Sequence, residues 1–361
     1  MKRNSIYIII LTLFTLWGCE DYYVPELDLM PNSLVVEAML TDKAEPMTVK
    51  LSRTIPFNNN TFFQGERKAK VKLKSNSGES YDFYEYKSGN YISNDTIRAV
   101  AGEGYYVVIE TSDGEIYQSD VEVMMDHCEI NDVQFADTLY KEINYDYWGD
   151  PLVKTFDGIE ISVLPETPSN SEVGYLYKWN SLINYLVFST EGMLEYNYYC
   201  WKKKNSYVIY VYDYNEKDQG NKLILDNLHF MSYYSIYPRG LDSADFKGTI
   251  QQSYASSFYY YLEQFTITKR GTDFWKSVKK QSEASGKLFD PLNEEIESNI
   301  HCITNPDLKC FGVFNTASYS NRIVLIDIGV RKVLNYFDVE TFPVPKKDED
   351  CILNEYTDFW Y

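Results

Sequence analysis

Cysteine and histidine are the residue types in this chain with the widest chemical repertoire, and their spacing restricts what they can do. The chain has six cysteines and three histidines, His127, His229 and His301. Cys128 and Cys302 each follow a histidine, but neighbouring side chains in a strand point to opposite faces, and no Cys-x-x-Cys pair is present. The pattern therefore predicts no metal site, and we expect no other cofactor.

The sequence lacks the motifs that usually mark catalysis. It contains no Gly-x-Ser-x-Gly elbow, His-Glu-x-x-His helix, phosphate-binding Gly-Lys-Ser/Thr loop, dinucleotide glycine fingerprint or calcium loop. Paired carboxylates such as Asp242 with Asp245, or Glu294 with Glu295, could serve a glycosidase. A chain with 53 acidic residues contains such pairs by chance, however. We therefore expect no catalytic residues and no enzymatic activity.

Aromatic clusters indicate function through binding instead. Tyrosine occurs 34 times and is concentrated at residues 196–201, 207–214 and 258–261. Such side chains stack on sugars, peptides or protein partners. The predicted binding surface comprises Tyr198, Trp201, Tyr210, Tyr212, Tyr259 and Tyr261. The competing interpretation is core packing, because alternation along a strand sends half of each cluster inward.

The N-terminus predicts an exported, lipid-anchored protein. Lys2 and Arg3 precede an apolar run at residues 6–16, which is shorter than the roughly 20 residues of a membrane-spanning helix. Residues 1–18 are therefore predicted to form a signal peptide. The sequence Leu-Trp-Gly-Cys ending at Cys19 resembles the bacterial lipobox, which predicts that Cys19 carries acyl chains such as palmitate and anchors the protein stably. An ordinary cleaved signal with an unmodified Cys19 is the alternative.

Residues 19–31 are interpreted as a lipidated tether. Glu20 and Asp21 resemble the acidic export signal that places Bacteroidota lipoproteins on the outside of the outer membrane. The alternative is simply the start of a solvated tether. We expect a lipid anchor in the outer membrane, facing the cell surface.

Length, charge and composition restrict the protein's class. The chain of 361 residues is long enough for about two domains after the signal. Its net charge of −19 repels phosphate backbones, which makes nucleic acid an unsuitable partner. The abundance of tyrosine favours half-buried strands, so we predict a mainly β protein.

The predicted first domain, residues 32–125, is an Ig-like or transthyretin-like β-sandwich that folds on its own. Short alternating runs predict strands at residues 34–40, 48–53, 69–74, 80–86, 105–111 and 115–123. Gly78 and Gly114 supply the left-handed residues that hairpin turns need.

The predicted second domain, residues 126–345, is a larger β-rich sandwich or partial barrel followed by a tail at residues 346–361. A strand begins at Ile130, and further strands are predicted at residues 158–164, 175–190, 196–201, 207–214, 230–237, 258–268 and 322–326, with a loop over 213–222. One helix is predicted at about 270–285, capped by Thr268 and Gly286. Its packed face comprises Phe274, Trp275, Val278, Gln281 and Ser282.

The order of short motifs along the chain resembles a known family. After the aromatic helix come Gly-x-Leu-Phe-Asp-Pro from residue 286, Asn-Ile at 299–300, Asn-Pro-Asp at 305–307, Phe-Gly-x-Phe at 311–314, Ala-Ser at 317–318 and Asn-Arg-Ile at 321–323. The N-terminal half contributes Leu-Val-Val-Glu at 34–37, Val-Lys-Leu-Ser-Arg at 49–53, Gly-Asn-Tyr at 89–91 and Gly-Tyr-Tyr-Val at 104–107. This order is similar to that of the Bacteroidota lipoproteins catalogued as domain of unknown function 4249.

The resemblance implies a function in binding. Members are lipoproteins of the outer membrane, often encoded beside TonB-dependent transporters, with no established enzymatic activity. We therefore expect an accessory or substrate-capture subunit of such a transporter, which takes an unknown small-molecule, glycan or peptide ligand. The alternative is a stand-alone adhesin or structural surface-binding lipoprotein.

The resemblance also implies disulfides. Five cysteines remain beyond Cys19, so at least one must stay unpaired within the chain. Relatives often carry cysteines at the positions of Cys200 and Cys302, which implies a bond between them. Cys310 with Cys351 is a second implied pair.

Overall fold

A computed structural model of the chain describes residues 32–55, 64–146, 148–169, 172–191, 194–206, 208–214, 221–225, 249–283, 296–328, 334–338 and 351–353. Within these residues the protein is mainly β with one α-helix, as the sequence predicts. The strands form a large curled sheet, a half-barrel, and a small three-stranded sheet. None of the described residues belongs to a helix with the length and apolar character that a bilayer crossing needs.

The N-terminal strands follow the predicted alternation closely. They are β1 Leu34–Thr41, β2 Glu45–Arg53, β3 Lys70–Ser75, β4 Ser80–Lys87, β5 Asn90–Ile97, β6 Gly104–Glu110, β7 Ile116–Ser119 and β8 Glu122–Val123. In β2, Val49 and Leu51 are buried while Lys50 between them is exposed. The prediction missed β5, whose inward positions include Ser93, and the single strand predicted at 115–123 is divided into β7 and β8. Gly78 and Gly114 adopt the positive φ expected of them.

Most of the later strands are longer than predicted, whereas Tyr210–Asp213 is shorter than the predicted strand at 207–214. They are β9 Ile130–Tyr145, β10 Pro151–Pro165, β11 Val173–Glu191, β12 Leu194–Asn205, β13 Tyr210–Asp213, β14 Asn221–Leu225, β15 Thr249–Thr268, β16 Ile300–Cys302, β17 Cys310–Ile328, β18 Leu334–Asp338 and β19 Cys351–Leu353. The predicted strand at 230–237 and the predicted cap Gly286 lie outside the described residues. The ends of the predicted loop at 213–222 belong to β13 and β14.

The large sheet pairs strands that lie far apart in the sequence. Its strand order is β16-β7-β6-β3-β4-β5-β2-β1-β17-β15-β11-β12-β19. At its centre β1 pairs in parallel with β17, from Leu34 opposite Cys310 to Thr41 opposite Ala317. Gly312 permits this pairing, because it has a φ of 95° and a Cβ there would lie 1.9 Å from the carbonyl oxygen of Val36.

The core of the N-terminal sandwich includes residues from far along the chain. Ile300, Cys302, Cys310 and Phe314 belong to the same buried cluster as the valines and leucines of β1 and β2. Residues 32–125 therefore share their core with later residues, and the expectation that this segment folds on its own stays a prediction. The predicted domain boundary after residue 125 stays a prediction.

The small sheet, in the order β14-β10-β9, packs on one face of the large sheet. Val133, Ile161 and Val163 from β9 and β10 share a buried cluster with aromatic residues of β11 and β15, including Tyr177 and Tyr260. This second layer covers part of the curled sheet, and the β-rich character predicted for this part of the chain, a sandwich or partial barrel, is confirmed.

The helix, α1 Lys269–Glu283, packs on the opposite face of the large sheet. The hydroxyl of Thr268 accepts a hydrogen bond from the backbone N–H of Gly271 at 3.2 Å, which confirms the predicted N-cap. Thr272 is buried against Gly174, where a Cβ would lie 2.2 Å from the Thr272 hydroxyl. Trp275 packs on the cluster beneath, whereas Gln281 and Ser282 are exposed, so the packed face is shorter than predicted.

Candidate functional site

The hairpin of β9 and β10 exposes large apolar side chains at the end that carries its turn. Strand β14 pairs with residues 159–163 of β10, and nearer the turn the described strands of the small sheet are β9 and β10. Trp148 is 83 % exposed, Tyr145 70 % and Ile143 59 %. The name hairpin tip is used below for Ile143, Tyr145, Trp148, Leu152 and Val153, all of which are exposed.

The turn of the hairpin is held by one aspartate. The Asp146 carboxylate accepts hydrogen bonds from the backbone N–H groups of Trp148 at 2.8 Å and Asp150 at 2.9 Å. The Asp146 N–H donates to the carbonyl of Asp150, and Gly149 takes a φ of 85°. Trp148 is therefore presented by a turn with a defined hydrogen-bond pattern.

Register places part of the hairpin tip on one face of the hairpin, with Leu152 on the other face. Ile143 lies opposite Val153, and Tyr145 lies opposite Pro151, so these four residues share one face. Exposed apolar patches with tryptophan and tyrosine at their centre mark sites of association, and these residue types dominate the energy of protein interfaces. The chemistry available at the hairpin tip is therefore burial against a partner.

Sequence analysis gave residues 141–153 no functional role. The signal in the sequence is the alternation of Ile143 and Tyr145 followed by Trp148 and Gly149. Alternation alone does not distinguish a strand that packs on another sheet from one that extends past it, because both bear the same side-chain pattern.

The base of the same hairpin is fixed by a histidine between two carboxylates. His127 Nδ1 lies 2.5 Å from the Asp42 carboxylate, and Nε2 lies 2.9 Å from that of Glu129. These hydrogen bonds raise the pKa of His127. Hydrogen bonds from Ser320 and His127 lower the pKa of Glu129. The cluster ties the start of β9 to the β1–β2 turn and to β17.

Two of the six predicted surface aromatics lie in the interior. Tyr210 is 7 % and Tyr259 8 % exposed, so neither presents a ring to a ligand at the surface. The reason is strand alternation, which places Tyr210 opposite Tyr177 on the face covered by the small sheet. Tyr212 is half-buried, with its ring 6.1 Å from that of Tyr177. Tyr198 and Trp201 occupy β12, and their side chains lie outside the described atoms.

Tyr261 takes part in a polar cluster that the sequence did not indicate. Its hydroxyl lies 2.5 Å from that of Tyr319, which in turn donates to Glu263 at 3.0 Å. Lys43 lies over the Tyr319 ring at 5.1 Å. Burial raises the pKa of Tyr319 well above its ordinary value. This arrangement joins β15, β17 and the β1–β2 turn.

A cavity of about 560 Å³ lies where β16 leads into β17. Its lining includes Cys302, Leu308 and Cys310 with His301 and Glu297. Both thiols are buried, and burial raises the pKa of Cys310 to about 12, so that thiol is a poor nucleophile. No three metal-ligating side chains come together anywhere among the described residues.

The two disulfides implied by the resemblance are not formed in the structure. Cys302 and Cys310 are both free thiols. Cys302 lies in β16 at one end of the strand order, whereas Cys200 lies in β12 near the other end, so strand topology separates that pair. Instead, β12 pairs with β19 in a register that sets Cys200 opposite Cys351. Cys19 lies outside the described residues.

Comparison with known proteins gives one match. A family model described as a domain of unknown function (DUF4249) matches residues 20–323. No curated protein and no solved structure matches the chain. The match begins before β1, includes the hairpin tip and ends within β17, before β18 and β19.

Proposed function

The chain belongs to the family of the domain of unknown function DUF4249, and from that premise we propose that it is a non-enzymatic accessory subunit of an outer-membrane transporter. The transporter would be of the TonB-dependent class, and the chain would help to capture its substrate. The supporting observation is the hairpin tip, which exposes apolar and aromatic side chains near the turn between β9 and β10. Burying such a surface against a protein partner lowers the free energy of the complex.

In this proposal the lipid anchor on Cys19 brings the hairpin tip close to its partner. Fourteen residues separate Cys19 from β1, and a chain of that length spans at most about 50 Å. A lipid on Cys19 would therefore hold the body close to the outer membrane. The hairpin tip would then meet a membrane-embedded partner at a high effective concentration.

The partner is best described as a protein with an apolar groove that accepts aromatic rings. Asp146 and Asp150 lie in the exposed turn beside Trp148, so anionic lipid head groups would be repelled there. The aromatic residues of the hairpin tip resemble the central residues of interfaces, and the two aspartates resemble a polar rim.

Affinity purification from the native outer membrane tests this proposal. A tag after Tyr361, gentle solubilisation and mass spectrometry should recover a TonB-dependent transporter in stoichiometric amount. The variant Tyr145→Ala with Trp148→Ala should lose it. A matched control is Tyr84→Ala with Tyr86→Ala, since these tyrosines are also exposed but lie on β4.

Two outcomes would overturn the proposal. One is recovery of the lipoprotein alone under conditions that preserve a known transporter complex, which would favour a stand-alone adhesin. The other is equal recovery of the transporter with both double variants, which would place the contact elsewhere on the chain.

A further inference from the structure

The last described strand of the chain sets one cysteine directly opposite another. Strand β19 pairs antiparallel with β12, with Tyr198 opposite Leu353, Tyr199 opposite Ile352 and Cys200 opposite Cys351. Cys200 and Cys351 are thus cross-strand neighbours although they lie about 150 residues apart in the sequence. We propose that Cys200 and Cys351 form a disulfide that fastens the C-terminal strand to the edge of the large sheet.

Backbone geometry supports this pairing. Residues directly opposite each other in an antiparallel pair have Cα atoms about 4.5 Å or about 5.5 Å apart, depending on the hydrogen-bonding position. Disulfides span Cα separations of about 4.4–6.8 Å. Both kinds of opposite pair fall within that window, so no backbone movement is required.

The other described cysteines lie away from β12 and β19, and Cys302 and Cys310 line one cavity as unbonded thiols. Cys128 donates its thiol hydrogen to the carbonyl of Glu166 at 3.2 Å, and Cys302 lies 3.6 Å from the Glu115 carboxylate. Cys310 lies 3.7 Å from the carbonyl of Phe311. All three are buried free thiols on strands or segments other than β12 and β19. The structure thus assigns one bonded pair and three thiols to the cysteines beyond Cys19.

The bond would serve the edge of the sheet. Strand β19 has three residues and ends the strand order next to β12. So short a strand is weakly held by its own hydrogen bonds, and it pairs with residues 198–200 of the twelve-residue β12, where an unpaired edge could accept another chain. A covalent link keeps that part of the edge covered.

The chemistry is a two-electron oxidation by thiol–disulfide exchange. A disulfide-bearing oxidant is attacked by one cysteine thiolate, and the resulting mixed disulfide is resolved by the other. The two protein thiols lose two protons and two electrons to form the S–S bond, and the oxidant is reduced to two thiols. In an exported protein a disulfide oxidase would supply this oxidant, and oxidised glutathione supplies it in solution.

Disulfide mapping of the full chain tests the proposal. The protein, isolated from its membrane, is denatured without reductant, alkylated, digested and analysed by mass spectrometry. A cross-linked peptide containing Cys200 and Cys351 is expected, with alkylated Cys128, Cys302 and Cys310. The proposal is overturned if Cys200 and Cys351 are both alkylated, or if either is bonded to another cysteine.

The cellular oxidant in this inference rests on the exported location in the proposed function. A second measurement, made on purified protein, tests the disulfide without that location. Purified full-length protein is reduced under native conditions and then incubated in a glutathione redox buffer. The Cys200–Cys351 peptide should return in the wild type and in Cys302→Ser, while Cys351→Ser should yield an alkylatable Cys200. Failure of the bond to return in folded wild-type protein would refute the pairing, whether or not a transporter is found.

Discussion

The two ends of the β9–β10 hairpin carry similar residues in opposite environments. At the base, Ile161 is fully buried between the small sheet and the large one. At the hairpin tip, Ile143 is 59 % exposed although it belongs to the same ladder of paired residues. Ile161 shares a buried cluster with residues of β11 and β15, whereas Ile143 does not belong to it. An apolar residue on this hairpin therefore stabilises the fold at one end and is available to a partner at the other.

The largest effect is expected at the base. Ile161→Ala should lower the free energy of unfolding by about 2–5 kcal/mol, because it removes buried methyl groups and leaves a cavity. Urea unfolding followed by tryptophan fluorescence would measure it. A loss below about 1 kcal/mol would show that the small sheet is not packed as a core layer.

A smaller effect is expected at the turn. Asp146→Ala should cost about 1 kcal/mol, because two backbone N–H groups lose their acceptor. Asp146→Asn is the matched control, since the amide oxygen can accept the same bonds. If the turn orients Trp148, transporter recovery should fall with Asp146→Ala and persist with Asp146→Asn; equal recovery would contradict that role.

The ionic cluster at the base should make stability depend on pH. The pKa of His127 is raised from 6.5 in the folded protein, so its contribution is fully present below about pH 6.5 and is lost as the pH rises through the folded pKa. Glu129, whose pKa is lowered from 4.5, contributes above about pH 4.5 and loses its effect as the pH falls through the folded pKa.

The variant His127→Gln measures this dependence. Its melting temperature should fall below that of the wild type mainly between about pH 4.5 and 6.5, and the difference should shrink toward alkaline pH. A difference that is constant from pH 5 to pH 9 would assign His127 a packing role without a charge contribution.

The smallest effect on stability is expected at the hairpin tip. Ile143→Ala should change the free energy of unfolding by no more than about 0.5 kcal/mol, because the side chain is largely exposed. The same chemical unfolding measurement used for Ile161→Ala would test it. A cost similar to that of Ile161→Ala would mean that another part of the chain covers the hairpin tip.

Sequence alone predicted the local elements well. The alternation in β1 and β2, the turns at Gly78 and Gly114 and the Thr268 cap each depend on neighbouring residues, which are readable without tertiary structure. The mainly β class follows from many such local signals. Strand β5 was missed because its polar residues weaken the apolar alternation.

The pairing of strands that are distant in the sequence could not be predicted from these local signals. Nothing in the types of Val36 and Gly312 indicates that they pair in parallel across the chain, since many strands could accept the same neighbour. The burial of Tyr210 likewise depends on which face the small sheet covers. The hairpin tip was missed for the same reason, because its exposure depends on which residues of the hairpin join the buried cluster.

The parallel pairing of β1 with β17 also fixes when the N-terminal sandwich can be completed. In a chain made from its N-terminus, Leu34 appears about 275 residues before its partner Cys310. Closing so long a loop slows folding and leaves the edge of β1 unpaired in the meantime. The N-terminal sandwich therefore acquires its full core only after residue 314 has emerged.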